Sequence, residues 1–247
     1  MIFFRCKKAL TREMFRTYVS YVRLKMGSRI KGHEEESPAK TRKRITKAAE
    51  KLFAMRGIED VSIRDITRAA GVNLAAINYH FGTKTGLAAE VLKQCIDPIN
   101  ARRLELLDAV ESKAGRKPPK LEAVLEAMVR PAVERGFGNH ADNETFLRLT
   151  GRCLSEPNVE IEQIVRAHFE KLIRRFDTAF LNALPGLDPE ELFWRIKFMF
   201  GALHYSLLMC GKQKNLPVKL RKTLDAEGLI QRLVTFTAAG LRASISR

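Results

Sequence analysis

The stretch from Ser62 to Phe81 constrains the fold of this chain more than any other. It holds two short apolar stripes of helical period, separated by Gly71-Val72-Asn73. Ile63, Ile66, Ala69 and Ala70 recur at three- and four-residue spacing and so share one face of a helix that Ser62 can cap. Glycine at 71 tolerates the left-handed conformation needed to leave a helix sharply, and Val72 fills the corner. Asn73 can then cap a second helix running through Leu74, Ile77 and Phe81. Two helices joined in this way form a helix-turn-helix, a device whose second helix lies in the DNA major groove.

A helical hairpin inside any all-helical protein has the same outline, and three features favour the DNA-binding reading. The second helix leaves Ala75, Ala76, Asn78 and Tyr79 off its apolar stripe, so small residues allow close approach while an amide and a phenol offer hydrogen bonds. Thr83 can cap the next helix, where Lys84 and free backbone N–H groups suit a phosphate. Residues 1 to 100 hold 20 Lys and Arg against 10 Asp and Glu, so +10 of the chain's net charge of +16 lies in this part. A basic excess attracts phosphate backbones and, less specifically, anionic membranes.

The 247 residues have ample length for a sizeable core. Four cysteines, at 6, 95, 153 and 210, form no CxxC pair and no zinc-ligand spacing with histidine, so a reduced, cytoplasmic protein without metal is expected. No uncharged run approaches 18 residues, so no membrane-spanning helix or stable membrane insertion is expected. Residues 1–25 are basic and amphipathic; a membrane-surface helix, a targeting segment and an over-extended gene start ahead of Met26 are the open readings. Residues 27–38 read as a flexible lead-in.

A helix follows from about Pro38 to Met55, with Ser37 as cap and Ile45, Ala48, Ala49, Leu52 and Phe53 on its apolar face. Arg42, Lys43, Arg44 and Lys47 lie on or beside the opposite face, as a solvated surface or as phosphate contacts. The pattern Ile45-x-x-Ala48-Ala49-x-x-Leu52-Phe53-x-x-x-Gly57, Ser62-Ile63-x-x-Ile66, Ala70-Gly71-Val72-Asn73 and Tyr79-His80-Phe81-x-x-Lys84-x-x-Leu87 resembles the DNA-binding domain of the TetR family of one-component transcriptional repressors. Gly-Val-Asn-Leu-Ala-Ala-Ile-Asn-Tyr-His-Phe is similar to the fatty-acid-responsive PsrA branch of that family, and Asn78 stands where the family usually carries an aromatic. The resemblance implies DNA contacts among Arg42, Lys43, Ser62, Arg64, Asn73, Leu74, Ala75, Ala76, Asn78, Tyr79, His80, Thr83 and Lys84.

Beyond Phe81 the chain reads as entirely helical, with segments at 84–95, 99–113, 120–135, 142–154, 158–184, 189–210 and 226–242, the first ending before Pro98. The expected fold is all-α with about nine to ten helices. A basic extension occupies residues 1–37, a three-helix DNA-binding domain 38–84, and a larger helical effector-binding and dimerisation domain 85–247. The 189–210 segment is apolar on nearly every side and the last helix is similarly rich, which a symmetric homodimer through a four-helix face would satisfy. Phe200, Leu203, Leu207, Leu229, Leu233 and Phe236 are the expected interface residues. Glu191-Leu192-Phe193-Trp194-Arg195-x-x-Phe198-Met199-x-Gly201-Ala202 and Ala238-Ala239-Gly240-Leu241-Arg242-Ala243 also resemble the C-terminal domain of the PsrA branch.

Arg148 and Arg195 each sit inside an apolar helix. They either pair with acids such as Glu144 and Glu191 or anchor a carboxylate or phosphate at the mouth of an apolar tunnel. Phe137, Phe146, Phe169, Phe176, Trp194, Phe198 and Met199 would line that tunnel, as they would an ordinary core. The function expected is a dimeric regulator of a palindromic double-stranded DNA operator. A small apolar or acyl effector, such as a long-chain fatty acid or acyl-CoA, would release it, and an efflux or xenobiotic effector is the alternative. An enzyme of acyl metabolism is disfavoured, since the chain has no Gly-x-Ser-x-Gly elbow and no Walker-type loop. No catalytic residue, cofactor or metal ligand is assigned.

Overall fold

The computed structural model describes residues 37–138, 143–155, 159–211, 217–218 and 224–244. The readings of residues 1–25 and of the lead-in up to residue 36 fall outside the described residues. Backbone contacts divide the chain into residues 1–42 and 43–247, and the second unit holds both hydrophobic cores.

Nine α-helices and no strand occur among the described residues. They are α1 (Pro38–Arg56), α2 (Ile63–Ala70), α3 (Leu74–Phe81), α4 (Lys84–Ala114), α5 (Leu121–Phe137), α6 (Asn143–Ser155), α7 (Val159–Ala183), α8 (Pro189–Gly211) and α9 (Ala226–Arg242). The first core gathers Ile45, Ala49 and Phe53 of α1, Ile66 of α2, Ile77 of α3 and Leu87, Val91 and Leu92 of α4. Each large side chain buried this completely contributes about 1.5–3 kcal/mol of transfer free energy, so three short helices are held by packing rather than by propensity. The second core gathers α5 with the inner faces of α4, α7, α8 and α9, around Leu107, Leu125, Val129, Phe176, Phe180 and Ile230.

The expected break before Pro98 does not occur. α4 runs through it as one helix of 31 residues. A proline in a helix interior removes one hydrogen bond and costs about 3 kcal/mol or more. Here Pro98 and Gln94, whose carbonyl loses its partner, both lie on the solvent side. The helix is clamped on either side of the proline, with Leu87 to Leu92 in the first core and Ile99 and Leu107 in the second. α4 is therefore one continuous strut between the two cores.

A second connection comes from α6. Leu149 is fully buried in the first core, and Arg152 donates from Nε to the Ala54 carbonyl (3.3 Å) and from Nη2 to the Met55 carbonyl (3.1 Å). Those carbonyls close the last turn of α1, where unpaired acceptors and the helix dipole favour a cation. Elsewhere Arg130 of α5 reaches Glu126 and Glu134 on its own helix and Glu227 on α9, and Arg175 of α7 reaches Asp108 and Glu111 on α4.

α8 has two apolar faces. Leu192, Met199, Leu203 and Leu207 point inward and are buried, while Phe193, Trp194, Phe198 and Tyr205 are exposed. Leu203, Leu207, Leu229 and Leu233, expected at a subunit interface, are instead core residues of the single chain, and Phe200 is half-buried against the same core. Of the expected interface set, Phe236 on α9 is the exposed member, at 68%. Sequence periodicity could not separate the two faces because both are apolar.

Candidate nucleic-acid interface

The helix-turn-helix is fixed at each corner by its own side chains. Ser62 caps α2 by accepting from the Asp65 backbone N–H, and the Asp65 carboxylate accepts from the Ser62 backbone N–H (3.1 Å), a complete capping box. The Ser62 hydroxyl, which also donates to that carboxylate at 2.7 Å, is the largest influence holding Asp65 below the usual carboxylate range, with the Ser62 amide, Arg56 and Arg68 adding to it. Gly71 ends α2 in the left-handed region at φ 63°, ψ 39°. Its N–H reaches the Arg68 carbonyl and the Val72 N–H reaches the Thr67 carbonyl, the paired bonds of a Schellman turn. Asn73 caps α3 by accepting from the Ala76 N–H at 2.9 Å, and Thr83 caps α4 by accepting from the Gly86 N–H at 3.0 Å. A Cβ at position 86 would stand 2.3 Å from the Phe81 carbonyl oxygen, so only glycine lets α4 start this close to the end of α3.

With its ends fixed, Ile77 buried and Ala76 and Phe81 packed against the first core, α3 presents one face outward. Leu74 is 54% and Tyr79 79% exposed, with Ala75 and Asn78 exposed between them. Ala76 is half-buried against the first core, and His80 is half-buried with its ring edge-on to Tyr79 at 5.0 Å. A large exposed aromatic beside an amide and two small residues has no packing purpose in a lone chain and suits contact with base edges and sugar-phosphate. Arg64 is exposed on α2 and Lys43 on α1, while Arg42 is half-buried on α1. The Lys84 ammonium donates to the Glu59 carbonyl at 2.9 Å, which ties the start of α4 to the α1–α2 corner. The expected DNA contacts thus divide into residues that shape the motif (Ser62, Asn73, Thr83, Lys84), residues it displays (Leu74, Ala75, Asn78, Tyr79, Arg64, Lys43) and the half-buried Arg42, Ala76 and His80. Asp65 and Gly86 escaped the sequence reading, although Ser-x-x-Asp and Thr-x-x-Gly carried their signal.

The effector residues separate differently. Arg148 is exposed and pairs with Glu144 at 2.7 Å, and Arg195 bonds Glu191 at 2.7 Å and the Gly240 and Leu241 carbonyls at the end of α9. Both arginines take the ion-pair alternative rather than the anchor. Trp194 and Phe198, expected along a tunnel, are 52% and 66% exposed and stack on each other at 6.4 Å. Phe146, Phe176 and Met199 are buried in the second core, with Phe137 and Phe169 packed against it. Among the described residues the buried cation is one the sequence did not single out, Arg103 of α4, beside Asn100. Burial alone pulls its pKa down to about 10, so it is charged at neutral pH. Of the four cysteines, Cys95 is described as a thiol, with Sγ 3.6 Å from a Glu50 carboxylate oxygen. Among the described residues no His, Cys, Asp and Glu cluster could hold a metal ion, and no helix is long and apolar enough to cross a membrane.

Two family descriptions match this architecture. Residues 45–91 match "Bacterial regulatory proteins, tetR family", and residues 126–240 match "Tetracyclin repressor-like, C-terminal domain". Among curated relatives, the HTH-type transcriptional repressor KstR2 of Mycolicibacterium smegmatis is 30% identical over 91 residues, 37% of this chain and 44% of that protein. The chain spans less than half the length of the curated relatives it matches. Among solved structures, NalD, the secondary repressor of the MexAB-OprM multidrug efflux pump in Pseudomonas aeruginosa, superposes with a TM-score of 0.57 at 20% identity, over 83% of this chain and 98% of that one. The fatty acid degradation regulator FadR from Bacillus halodurans superposes with a TM-score of 0.53 at 17% identity, over 81% and 99%. At these identities the structural likeness speaks for the fold.

Proposed function

This chain belongs to the TetR family of bacterial regulatory proteins, and from that premise we propose that it is a dimeric transcriptional repressor released from a palindromic operator by a small apolar effector. Residues 38–84 form the DNA-binding domain and residues 85–247 the effector and dimerisation domain. The observation that carries this reading is α3, held at both ends by caps and glycines yet displaying Ala75, Asn78 and Tyr79 to solvent. A regulator, rather than an enzyme of acyl metabolism, is what such a displayed helix suits.

Dimerisation rests on the outward stripe of α8, where Trp194, Phe198 and Tyr205 are more than half exposed, together with Phe236 of the adjoining α9. Two copies facing each other through these helices would cover that surface in a four-helix arrangement. Each copy brings one α3, and a two-fold pair of reading helices matches half-sites about 34–36 Å apart or a multiple of it.

Release follows from the two connections between the cores. An effector that favours a different packing of the second core moves α4 and α6, and with them the spacing of the two reading helices. Swinging such an equilibrium from 1:99 to 99:1 takes about 5.5 kcal/mol of differential affinity, which roughly seven methylenes buried only in the released state would supply at about 0.8 kcal/mol each. A long-chain fatty acid or its coenzyme A thioester meets that requirement, in keeping with the PsrA-like sequence motifs. The direct test is Tyr79→Ala on a mapped operator fragment. Tyr79 makes no core contact, so thermal stability should move by no more than about 0.5 kcal/mol. Operator affinity should fall about 5- to 150-fold, the 1–3 kcal/mol of a lost base or backbone contact. Unchanged operator affinity would mean that α3 is not the reading helix.

A further inference from the structure

Arg103 and Asn100 lie one turn apart on the face of α4 that packs against α5, and both are buried, at 5% and 6% exposure. Arg103 donates from Nε to the Met128 carbonyl (2.8 Å) and from Nη1 to Asn100 Oδ1 (3.1 Å). Among the described residues it has no carboxylate partner, and Asn100 Nδ2 has no partner of any kind. Buried cations are normally paired, because removing a charge from water costs several kcal/mol even after relaxation. The Nε bond has a local reason. The carbonyl that Pro131 leaves without its helical donor is that of Ala127, one residue before Met128, so the Nε bond falls in the stretch of α5 where the ladder is interrupted. The outer fork has no such reason. Asn100 Nδ2 is left buried without a partner beside the guanidinium, among side chains of an apolar core that includes Ile99, Leu107 and Met128.

We propose that Arg103 and Asn100 form the anion-accepting end of the effector site and take the carboxylate of an apolar monocarboxylic acid. The planar guanidinium fork matches two carboxylate oxygens, and Asn100 Nδ2 supplies a further donor. A single positive charge balances one carboxylate, whereas a phosphate dianion would leave a net negative charge buried in an apolar core. The surrounding aliphatic side chains suit a hydrocarbon body. The inference rests on the effector-released reading above, and it places the anchor on α4, the strut that joins the two cores, so that occupying the site acts directly on that helix.

The test uses the full-length chain without DNA. Isothermal titration with straight-chain fatty acids of eight to eighteen carbons is compared with the primary alcohol and the alkyl phosphate of the same length. At least one acid should bind about 30-fold or more tightly than its alcohol, the usual loss when one side of a buried charge pair is removed. Arg103→Met should lower the affinity for the acid to that for the alcohol, with Asn100→Leu losing part of the difference. Should Arg103→Met fail to fold, Arg103→Lys, which keeps the charge and loses the fork, should lose affinity for the acid and not for the alcohol. Three results would overturn the proposal: acid and alcohol binding equally or not at all, the alkyl phosphate binding tighter than the acid, or Arg103 variants keeping the preference for the acid. A parallel gel shift on operator DNA separates the two claims. Absent DNA binding with intact acid selectivity removes the repressor reading and leaves the anchor; intact DNA binding without acid selectivity does the reverse.

Discussion

Replacing Gly71 by alanine isolates one backbone angle from everything else in the reading motif. Gly71 sits at φ 63°, ψ 39°, and a Cβ built there meets nothing within 4 Å, so sterics with the rest of the protein contribute nothing. What is left is the left-handed conformation itself, which costs an L-residue with a Cβ about 1–2 kcal/mol. Alanine recovers about 0.4–1 kcal/mol by reducing the freedom of the unfolded chain. The net destabilisation is about 1 kcal/mol, a fall in melting temperature of about 2–4 °C for a chain of this size. Asparagine tolerates the left-handed region better, so Gly71→Asn should fall between the two. Differential scanning calorimetry on the three proteins measures this directly. An alanine variant as stable as the parent, or more so, would refute the Schellman turn and with it the angle between α2 and α3.

Three further outcomes follow from the same structure. Asp65 is depressed in the folded state, so its contribution is present above the unfolded carboxylate range and is lost as pH falls through the folded pKa; a titration of the Asp65 carboxyl by NMR should find it low, and Ser62→Ala should move it toward the ordinary value. Phe198→Glu and Phe236→Glu should leave the chain folded but halve its mass in sedimentation experiments, since both side chains are more than 60% exposed in the single chain; an unchanged mass would place the dimer face elsewhere. Arg152→Met, which removes two bonds to the end of α1, should leave effector affinity intact and weaken the change in operator affinity on effector binding about 5-fold or more, a coupling loss of about 1 kcal/mol; equal coupling in the variant would leave α4 as the only path.

The reading motif was legible because it is written locally. Ser62, Gly71, Asn73 and Thr83 each act on backbone groups within a few residues of themselves, so their chemistry shows in sequence. What depends on packing did not show. Pro98 reads as a stop when considered alone and is overridden by apolar contacts on both sides of it in two different cores. α8 is apolar all round, and nothing in its periodicity tells Leu203, which is buried, from Phe198, which is exposed. Arginines inside apolar helices are equally ambiguous: Arg148 and Arg195 carry an acid four residues earlier and pair with it, whereas the buried fork belongs to Arg103 in the unremarkable run Asn100-Ala101-Arg102-Arg103. For these three, an i−4 acid is the local sign: Arg148 and Arg195 have one, and Arg103 has Ile99 there.

The measurement that bears most directly on the whole account is a gel shift of the purified chain on the DNA upstream of its own gene, titrated with long-chain fatty acids and with their coenzyme A thioesters. A specific, dimer-sized complex is expected, which one of these ligands dissolves and Tyr79→Ala weakens about 5- to 150-fold. Binding that is only non-specific and lost in moderate salt on every operator-sized fragment of the genome, with Tyr79→Ala indistinguishable from the parent, would contradict it.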